Sequence, residues 1–333
     1  MTQSPLAAAA VAAGTPRWLD ESMGRVEKVL FETAGSSPHP LVSEPALHLI
    51  KAGGKRMRPA LVLLSSHAGR PHERATDLAA AAIELVHIAT LYHDDVIDQT
   101  ETRRGVVTVH NKWGTDVAVL AGDFLFACGS ELGAQASGEV PGILARAIAE
   151  VCQGQILETG ALGDPRRSVS AYVEVIERKT AALFRAACEL GTATSGAPTS
   201  LRSAVVEYGA NLGLAFQIVD DLLDLVGDPS ITGKEPGTDL REGVFTAPVL
   251  FACEVDTSLA ARLEAGDTDL EVVLERILAT GALQQANALA TMHAERARTC
   301  LTDVGGTDWG QALTSLIDRV LAQVPPLPTG HVF

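Results

Sequence analysis

Apolar residues recur at intervals of three and four along most of the 333-residue chain. This spacing places them on one face of an α-helix and therefore predicts amphipathic helices. The segments that show it are residues 78–97, 116–132, 143–159, 169–190, 201–225, 283–301 and 311–324. No segment alternates convincingly between apolar and polar residues, so we expect no β-sheet.

Short stretches rich in Gly and Pro separate these segments and predict tight connections between helices. They are residues 69–71, 138–142, 163–165, 196–198 and 227–229. No linker divides the chain, and we predict a single all-α domain over residues 17–324. Residues 1–16, Ala-rich and without a basic segment, are interpreted as a disordered leader, and residues 325–333 as a frayed C-terminal tail.

The composition agrees with closely packed helices. Hydrophobic residues make up 47% of the chain and aromatic residues only 4%, so that Ala, Leu and Val supply most of the core. The five cysteines are widely spaced without a C-x-x-C pair, which favours reduced thiols and a cytoplasmic protein. No segment has the uninterrupted apolar length of a transmembrane helix.

The charge balance excludes one class of partner. The chain has 26 basic and 41 acidic residues, a formal net charge of −15, which disfavours nucleic-acid binding. An acidic protein that handles anionic substrates needs local basic patches or bound cations.

An acidic cluster lies within residues 84–105, which read ELVHIATLYHDDVIDQTETRRG. Asp94 and Asp98 share one face of an otherwise apolar helix, and Asp95 lies about 100° around it. Neighbouring carboxylates repel each other, and a divalent cation relieves that repulsion. Mg²⁺ accepts one or two carboxylates and completes its shell with water and substrate phosphates. The alternative for a single cluster is an acidic helix end in solvent.

A second cluster repeats the same D-D-x-x-D spacing in residues 216–225, which read FQIVDDLLDL. It consists of Asp220, Asp221 and Asp224, again in a strongly apolar helix where unpaired carboxylates are costly. Two such helices facing one another would form a cavity with acidic walls, able to hold several metal ions and a diphosphate. The repetition therefore favours metal binding over a solvated helix end.

Basic residues accompany both clusters. Residues 53–59 read GGKRMRP and place three cations at a flexible turn, and further cations follow later. These cations are Lys55, Arg56, Arg58, Arg103, Arg104, Lys179 and Lys234. The arginine guanidinium donates two parallel hydrogen bonds to phosphate oxygens, and lysine supplies a compact positive charge. Each alone is typical of an exposed solubilising residue, but together they indicate two anion sites, one through metal and one through direct contacts.

Several motifs in this order resemble the signature blocks of the all-trans polyprenyl diphosphate synthases. They are GGKRMRP, HDDVID followed by RRG, GDFLFA, Lys179–Thr180, FQIVDD and GKEPGTDLREG, between about residues 53 and 248. The resemblance implies an all-α bundle of roughly a dozen helices around a deep central cavity, usually homodimeric. It also implies a magnesium-dependent prenyltransferase that lengthens an allylic diphosphate with isopentenyl diphosphate.

The resemblance also implies roles for individual residues. The metal ligands would be Asp94, Asp95, Asp98, Asp220, Asp221 and Asp224, with Asp221 interpreted as their support. The leaving diphosphate would be held by Arg103, Lys179 and Lys234, and isopentenyl diphosphate by Lys55, Arg58, His87 and Arg104. Thr180 and Gln217 match polar groups near the carbocation. His93 is interpreted as structural, and Asp123 and Asp239 as orienting basic groups or capping helices.

Product length is predicted from residues one to two turns before Asp94. In members of the resembled family that stop at fifteen or twenty carbons, a bulky aromatic occupies the fourth or fifth position before the first Asp. Here Thr90 and Ala89 occupy those positions, and Val86 is not aromatic. Since a prenyl unit matches one helical turn of about 5.4 Å, we expect a product of roughly thirty to fifty carbons. Phe124 or Phe126 would then set the floor of the channel.

Three alternative functions compete with prenyl transfer. Two of them belong to proteins of the same fold or family, and the third belongs to neither. A terpene cyclase of the same fold tends to replace the second D-D-x-x-D, which is intact here. A non-catalytic partner subunit is expected to have eroded Asp or Arg positions. A generic metal-binding helical bundle would leave the basic blocks unexplained. Prenyl transfer is therefore the favoured interpretation.

Overall fold

The computed structural model describes residues 16–227 and 236–327, and their regular structure is helical apart from one short hairpin. The helices of the first half are α1 (Arg17–Ala34), α2 (Pro40–Lys51), α3 (Met57–Ser65), α4 (Glu73–Ile97), α5 (Val109–Trp113), α6 (Thr115–Ala136) and α7 (Val140–Gly160). Those of the second half are α8 (Val169–Ile176), α9 (Ala182–Thr194), α10 (Thr199–Val226), α11 (Thr238–Arg241), α12 (Ala247–Val255), α13 (Thr257–Glu264), α14 (Leu270–Thr280), α15 (Ala282–Cys300) and α16 (Asp308–Leu321). The all-α prediction is confirmed.

Each segment with helical spacing forms helix, with shifted ends. The segment predicted from residue 78 begins at Glu73, where the ring of His72 accepts the backbone N–H of Ala75 at 3.2 Å. The predicted break at 138–142 is shorter, because α7 already begins at Val140. Proline at the next position is tolerated there, since the first turn of a helix needs no N–H donor. Residues 1–15 of the interpreted leader and the last six residues of the chain lie outside the described part.

One difference from the predicted elements is a π-helical turn at Glu177–Ala181, which joins α8 to α9. The sequence predicted one continuous helix over residues 169–190. A π turn inserts one residue into the helical ladder, and such turns are frequent at functional sites. Lys179 and Thr180 lie in this turn, so its geometry decides where the two side chains are placed.

A second difference is a hairpin of β1 (Thr102–Arg103) and β2 (Val106–Val107). Thr102 pairs with Val107 and Arg103 with Val106, antiparallel. The turn residues Arg104 and Gly105 have φ of 53° and 75°, as a tight two-residue hairpin turn requires. Two-residue strands are too short to produce an alternating pattern, which is why the sequence did not predict them.

By their internal contacts the described residues form two compact units. The first comprises the residues up to Ile148 with Leu183–Val206 and Asp303–Leu313, and the second Ala149–Ala182, Glu207–Thr302 outside the gap at 228–235, and the residues from Thr314. All but one of these boundaries fall inside helices, so that α7, α9, α10 and α16 each contribute residues to both units. The single-domain interpretation stays a prediction.

Helix α4 forms the core of the first unit and packs against α1, α3 and α6. Glycines on α6 allow a close approach: a Cβ on Gly129 would lie 3.0 Å from the carbonyl oxygen of Ala82 and 3.3 Å from a methyl of Val86. A Cβ on Gly122 would lie 2.3 Å from the ring of His93. Because small residues line this contact, the two helices pack nearly backbone to backbone.

In the second unit α12 packs against α8, α13, α14 and α15. Another glycine sets the distance between α7 and the π turn, since a Cβ on Gly154 would lie 2.5 Å from the backbone nitrogen of Lys179. Any larger residue there would push the π turn away from α7. The position of Lys179 therefore depends on Gly154.

Two described helices, α4 and α6, are long and apolar enough to cross a membrane by length and composition, with mean hydropathies of 1.2 and 1.4. The sequence analysis expected no such segment. The most apolar window of α4 is 83% buried in the protein, as is usual for a core helix, whereas that of α6 is 44% buried.

Candidate active site

The first acidic cluster lies at the C-terminal end of α4 rather than in its interior. Asp94 and Asp95 belong to the last turn, and Asp98 follows the helix with its N–H bonded to the carbonyl of Asp94 at 2.8 Å. The C-terminal end of a helix carries partial negative charge, which destabilises carboxylates. The helix end thus adds to the mutual repulsion of the cluster, and both effects favour a bound cation.

Asp95 is the buried member of this cluster, with 1% of its surface exposed. Its Oδ1 accepts a hydrogen bond from Nε of Arg103 at 2.5 Å, and its Oδ2 is buried without a hydrogen-bond partner. Burial raises the pKa of Asp95, and the Arg103 guanidinium opposes that rise. An unsatisfied buried carboxylate oxygen is costly, so a cation ligand fits this position.

The first acidic cluster offers a divalent metal ion only a partial set of ligands. Within the described ranges, no group of three or more His, Cys, Asp or Glu side chains is arranged to hold a metal by itself. Magnesium usually takes one or two carboxylates and keeps waters and phosphate oxygens as its other ligands. The carboxylates of the cluster supply such a partial set.

The RRG hairpin and the GGKRMRP turn meet at Arg104. Its guanidinium donates to the carbonyl oxygens of Leu49, at 3.1 Å, and of Gly53. It also lies against the backbone of Gly54, where a Cβ would stand 2.9 Å from the guanidinium carbon. Gly54 therefore leaves room for the guanidinium beside the turn.

A cationic pocket surrounds His87. Burial is the main cause that lowers the pKa of His87 well below its ordinary value, and the nearby guanidiniums of Arg58 and Arg104 lower it further. Burial also lowers the pKa of Arg58 to about 10, which Glu84 opposes and Arg104 reinforces. The Nε of Arg58 is buried without a hydrogen-bond partner. Concentrated positive charge with an unused donor attracts an anion.

Arg56, grouped in the sequence with the phosphate-binding cations, is instead a structural residue. It is 5% exposed, and its guanidinium donates to Glu27 at 2.5 Å and to Glu84 at 3.0 Å. Its backbone has φ of 48°, so Arg56 points into the protein. Lys55 beside it is exposed. The sequence analysis missed Glu84, whose only signal was a lone acid in an apolar helix.

The three carboxylates of the second cluster have different surroundings. Asp220 is exposed, whereas Asp221 is 3% exposed. Burial raises the pKa of Asp221 to about 7, while hydrogen bonds from Tyr172 and Gln217 oppose the rise. Asp224 accepts the backbone N–H groups of Thr238 at 3.2 Å and of Asp239 at 3.3 Å. It thereby ties the start of α11 to the end of α10.

Thr180 and Gln217, the polar residues expected near the carbocation, are linked to this cluster within the second unit. The hydroxyl of Thr180 donates to the side-chain amide oxygen of Gln217 at 2.7 Å, and the side-chain nitrogen of Gln217 donates to Asp221. Lys179 forms an ion pair with Glu158 of α7. The Glu158 carboxylate lies close enough to Asp221 to raise the pKa of Asp221. The sequence analysis missed Glu158, Tyr172 and Arg167, which no local spacing marked. Lys234 lies outside the described residues.

The residues assigned to chain length are buried. Val86 and Ala89 have no exposed surface, and Thr90 retains 8%. The hydroxyl of Thr90 donates to the carbonyl of His87 in its own helix at 2.7 Å, so only its methyl group is free of hydrogen bonding. Phe126 stacks edge-on against His93, with ring centroids 5.5 Å apart. Of the three residues on α4, Thr90 is the one that touches accessible space.

Comparison with known proteins agrees with the motifs. The family model described as polyprenyl synthetase matches residues 39–278. The nonaprenyl diphosphate synthase of Mycobacterium tuberculosis is 37% identical over 327 residues, which cover 95% of this chain and 94% of that protein.

Solved structures show the same fold. A polyprenyl synthase from Caulobacter crescentus CB15, complexed with calcium and isoprenyl diphosphate, superposes with a TM-score of 0.86 at 36% identity, covering 92% of this chain and 96% of that one. A decaprenyl diphosphate synthase from Rhodobacter capsulatus gives a TM-score of 0.86 at 37% identity, covering 93% and 98%. The chain therefore belongs to the polyprenyl synthetase family.

Proposed function

We propose that this chain, a prenyltransferase, condenses isopentenyl diphosphate with an allylic diphosphate to give a medium- to long-chain all-trans polyprenyl diphosphate. The observation that carries the proposal is that the first unit contains both a candidate cation site and a candidate anion site. Oδ2 of Asp95 is buried without a hydrogen-bond donor, which favours a bound cation. The arginines near His87 favour a bound anion. Prenyl transfer needs both, because one diphosphate must leave while the other stays bound.

Both acidic clusters are assigned to magnesium. Asp94, Asp95, Asp98, Asp220 and Asp224 are the residues that would hold the ions, and calcium in the Caulobacter relative supports a divalent metal. When bound, magnesium neutralises the charge that develops on the departing diphosphate.

The basic residues divide between the two substrates. Arg103, Lys179 and Lys234 hold the leaving diphosphate, so that Lys179 exchanges its ion pair with Glu158 for phosphate oxygens. Lys55, Arg58, Arg104 and His87 bind isopentenyl diphosphate. Burial and the nearby arginines lower the pKa of His87 and thereby favour its neutral form, which offers an N–H donor without a further positive charge.

Bond making follows from these positions. The C–O bond of the allylic diphosphate breaks, its electron pair leaves with diphosphate, and the double bond of isopentenyl diphosphate attacks the resulting cation. Oxygen dipoles of Thr180 and Gln217 stabilise the positive charge. The new C–C bond leaves a tertiary cation, which loses a proton to the released diphosphate and forms the new double bond.

The proposed product has roughly thirty to fifty carbons, because Thr90 and Ala89 are small where an aromatic side chain would stop growth within about two turns. The names of the nonaprenyl and decaprenyl relatives support long products. The proposed location is the cytoplasm.

The direct test is incubation of the purified protein with labelled isopentenyl diphosphate, magnesium and an allylic primer, followed by chromatography of the products. Labelled linear polyprenyl diphosphates are expected. An unlabelled cyclic hydrocarbon formed from the primer alone would instead identify a terpene cyclase. Product formation that requires an added second subunit would identify a partner chain.

Arg104→Ala is expected to raise the Michaelis constant for isopentenyl diphosphate at least about tenfold and to change turnover at saturation little, because a charged phosphate contact is lost. Steady-state kinetics with each substrate varied in turn measures the effect. Arg74→Ala, which removes an exposed cation from the first turn of α4, is the matched control. An equal rise in the constant for the allylic substrate would contradict the separation of the two sites.

We further propose that the protein is a homodimer that buries exposed apolar faces of α6 and α7. Leu120 on α6 is 66% exposed and Ile156 on α7 is 70% exposed. On α7 the exposed residues Ala145, Ala149 and Cys152 continue the stripe towards the N-terminus. The uncharged stripe of small and aliphatic residues on α7 suits the same stripe of a second copy in a two-fold interface.

Ile156→Glu is expected to convert the dimer to a monomer, because two carboxylates would be buried in a symmetric interface. Sedimentation velocity measures the change in mass. Met292→Glu provides a control, since Met292 is also exposed, at 38%, but lies on α15. A wild-type protein that sediments as a monomer, or an Ile156→Glu variant that remains dimeric, would show that this face is not the interface.

A further inference from the structure

A buried chain of hydrogen bonds connects α8, the π turn and α10 in the second unit. Tyr172, with 1% of its surface exposed, donates its hydroxyl to Oδ2 of Asp221 at 2.5 Å. The side-chain nitrogen of Gln217 donates to Oδ1 of Asp221 at 2.7 Å. The hydroxyl of Thr180 donates to the side-chain amide oxygen of Gln217 at 2.7 Å. Four side chains thus form one network that ends on Asp221.

The direction of every donor in this network is set by the carboxylate. Because Oδ1 of Asp221 accepts the NH₂ group of Gln217, the amide oxygen of Gln217 faces Thr180. Thr180 has a single hydroxyl proton, which it donates in a hydrogen bond to the side-chain amide oxygen of Gln217. The remaining lone pairs of Thr180 are then available to a cation. Without Asp221, the amide of Gln217 is free to rotate and present N–H instead.

Tyr172 is what keeps the carboxylate in place. A buried carboxylate is stable only when its oxygens accept hydrogen bonds, and Tyr172 supplies the bond to Oδ2. The ring of Tyr172 is in turn held by Arg167, whose guanidinium carbon lies 5.8 Å from the ring centroid. Arg167 is anchored by donating to the carbonyl of Phe245 at 2.6 Å. The Tyr172 hydroxyl is therefore fixed by surroundings that lie beyond the acidic cluster.

We propose that Tyr172 is a positioning residue for prenyl transfer: through Asp221 it orients Gln217 and Thr180 so that they present oxygen atoms, not N–H groups, to the carbocation. The inference rests on the proposed function, in which Thr180 and Gln217 lie near that cation. It gives Asp221 a role different from that of Asp220 and Asp224: its two oxygens accept bonds from the side chains of Tyr172 and Gln217, whereas Asp220 is exposed and Asp224 accepts from backbone N–H groups.

The test compares Tyr172→Phe, Asp221→Asn and the double variant by steady-state kinetics at saturating magnesium. Tyr172→Phe is expected to lower turnover about tenfold, the effect of one lost hydrogen bond to a charged group, and to leave the Michaelis constant for isopentenyl diphosphate within about twofold. In the Asp221→Asn background, Tyr172→Phe is expected to have no further effect, because its role runs through the carboxylate. Multiplied effects in the double variant would overturn the proposal.

Tyr208→Phe is the matched control. Tyr208 is another fully buried tyrosine, and it lies on α10 thirteen residues, or about 20 Å, before Asp221. Its replacement is expected to change the melting temperature without the drop in turnover. Equal losses of turnover in the Tyr172→Phe and Tyr208→Phe variants would indicate a general packing defect and overturn the proposal.

Thr180 variants decide the matter if the buried variants melt below the assay temperature. Thr180→Val keeps the shape and removes the oxygen, and is expected to lower turnover about tenfold, whereas Thr180→Ser restores the hydroxyl and the turnover. Full turnover of Thr180→Val would overturn the proposal while leaving the proposed function intact. Failure of the wild-type protein to incorporate isopentenyl diphosphate would overturn the function itself and the inference with it.

Discussion

Asp94→Asn is expected to lower turnover by two or more orders of magnitude and to leave the fold intact. The carboxylate lies at the C-terminal end of α4, where it repels Asp98 and the helix dipole alike. A bound cation would offset both effects, and on the proposed mechanism the loss of Asp94 removes metal-dependent stabilisation of the departing diphosphate. The melting temperature without metal is expected to stay unchanged or rise, since the repulsion disappears. Asp220→Asn is expected to act in the same direction.

Turnover measured across a magnesium titration, together with thermal melting in chelator, tests this expectation. The matched control is Asp116→Asn, an exposed acid in the first turn of α6, where the helix dipole favours a carboxylate. Its turnover is expected to remain close to that of the wild type. Full activity of the wild type in excess chelator would contradict the metal mechanism altogether.

Most of the long helices were predictable because their apolar spacing persists over many turns, although α1, with 18 residues, was not among the predicted segments. Short helices such as α13 and α14 were missed because few turns leave a weak period. A different signal was available for them: Asp256 accepts the N–H groups of Ser258 and Leu259, and Asp269 those of Glu271 and Val272. An Asp directly before a helical run is a start signal. A search for caps would therefore have found both helices.

The candidate site was predictable where its chemistry is local in the sequence. The D-D-x-x-D spacing marks both acidic clusters, but spacing alone cannot show that Asp95 and Asp221 are buried while Asp220 is exposed. Their partners come from distant segments: Tyr172 lies 49 residues from Asp221 along the chain. Arg56 and Arg58 illustrate the same limit. They are two residues apart, yet Arg56, whose backbone is left-handed, forms ion pairs with Glu27 and Glu84, whereas Arg58 lies near His87.

The structure distinguishes the two positions at which an aromatic side chain should limit chain growth. Product that grows away from Asp94 along α4 passes Thr90 after about 6 Å and Ala89 after about 7.5 Å. Ala89 has no exposed surface, whereas Thr90 retains 8%. A phenylalanine at position 89 must therefore displace packed neighbours, at a cost of about 1–3 kcal/mol. At position 90 the new ring has some accessible space to enter.

Thr90→Phe is accordingly expected to shorten the main product to about fifteen or twenty carbons, since the ring blocks the channel within roughly one helical turn of the first cluster. The first condensation should proceed at nearly the wild-type rate, because the residues that hold both diphosphates are untouched. Ala89→Phe is expected to shorten the product as well, but with a lower melting temperature. Thr90→Val, which adds no bulk beyond the methyl group, is the control. Chromatography of products labelled with isopentenyl diphosphate measures the lengths. A wild-type product of fifteen carbons, or an unchanged length in both phenylalanine variants, would show that the chain does not grow along α4.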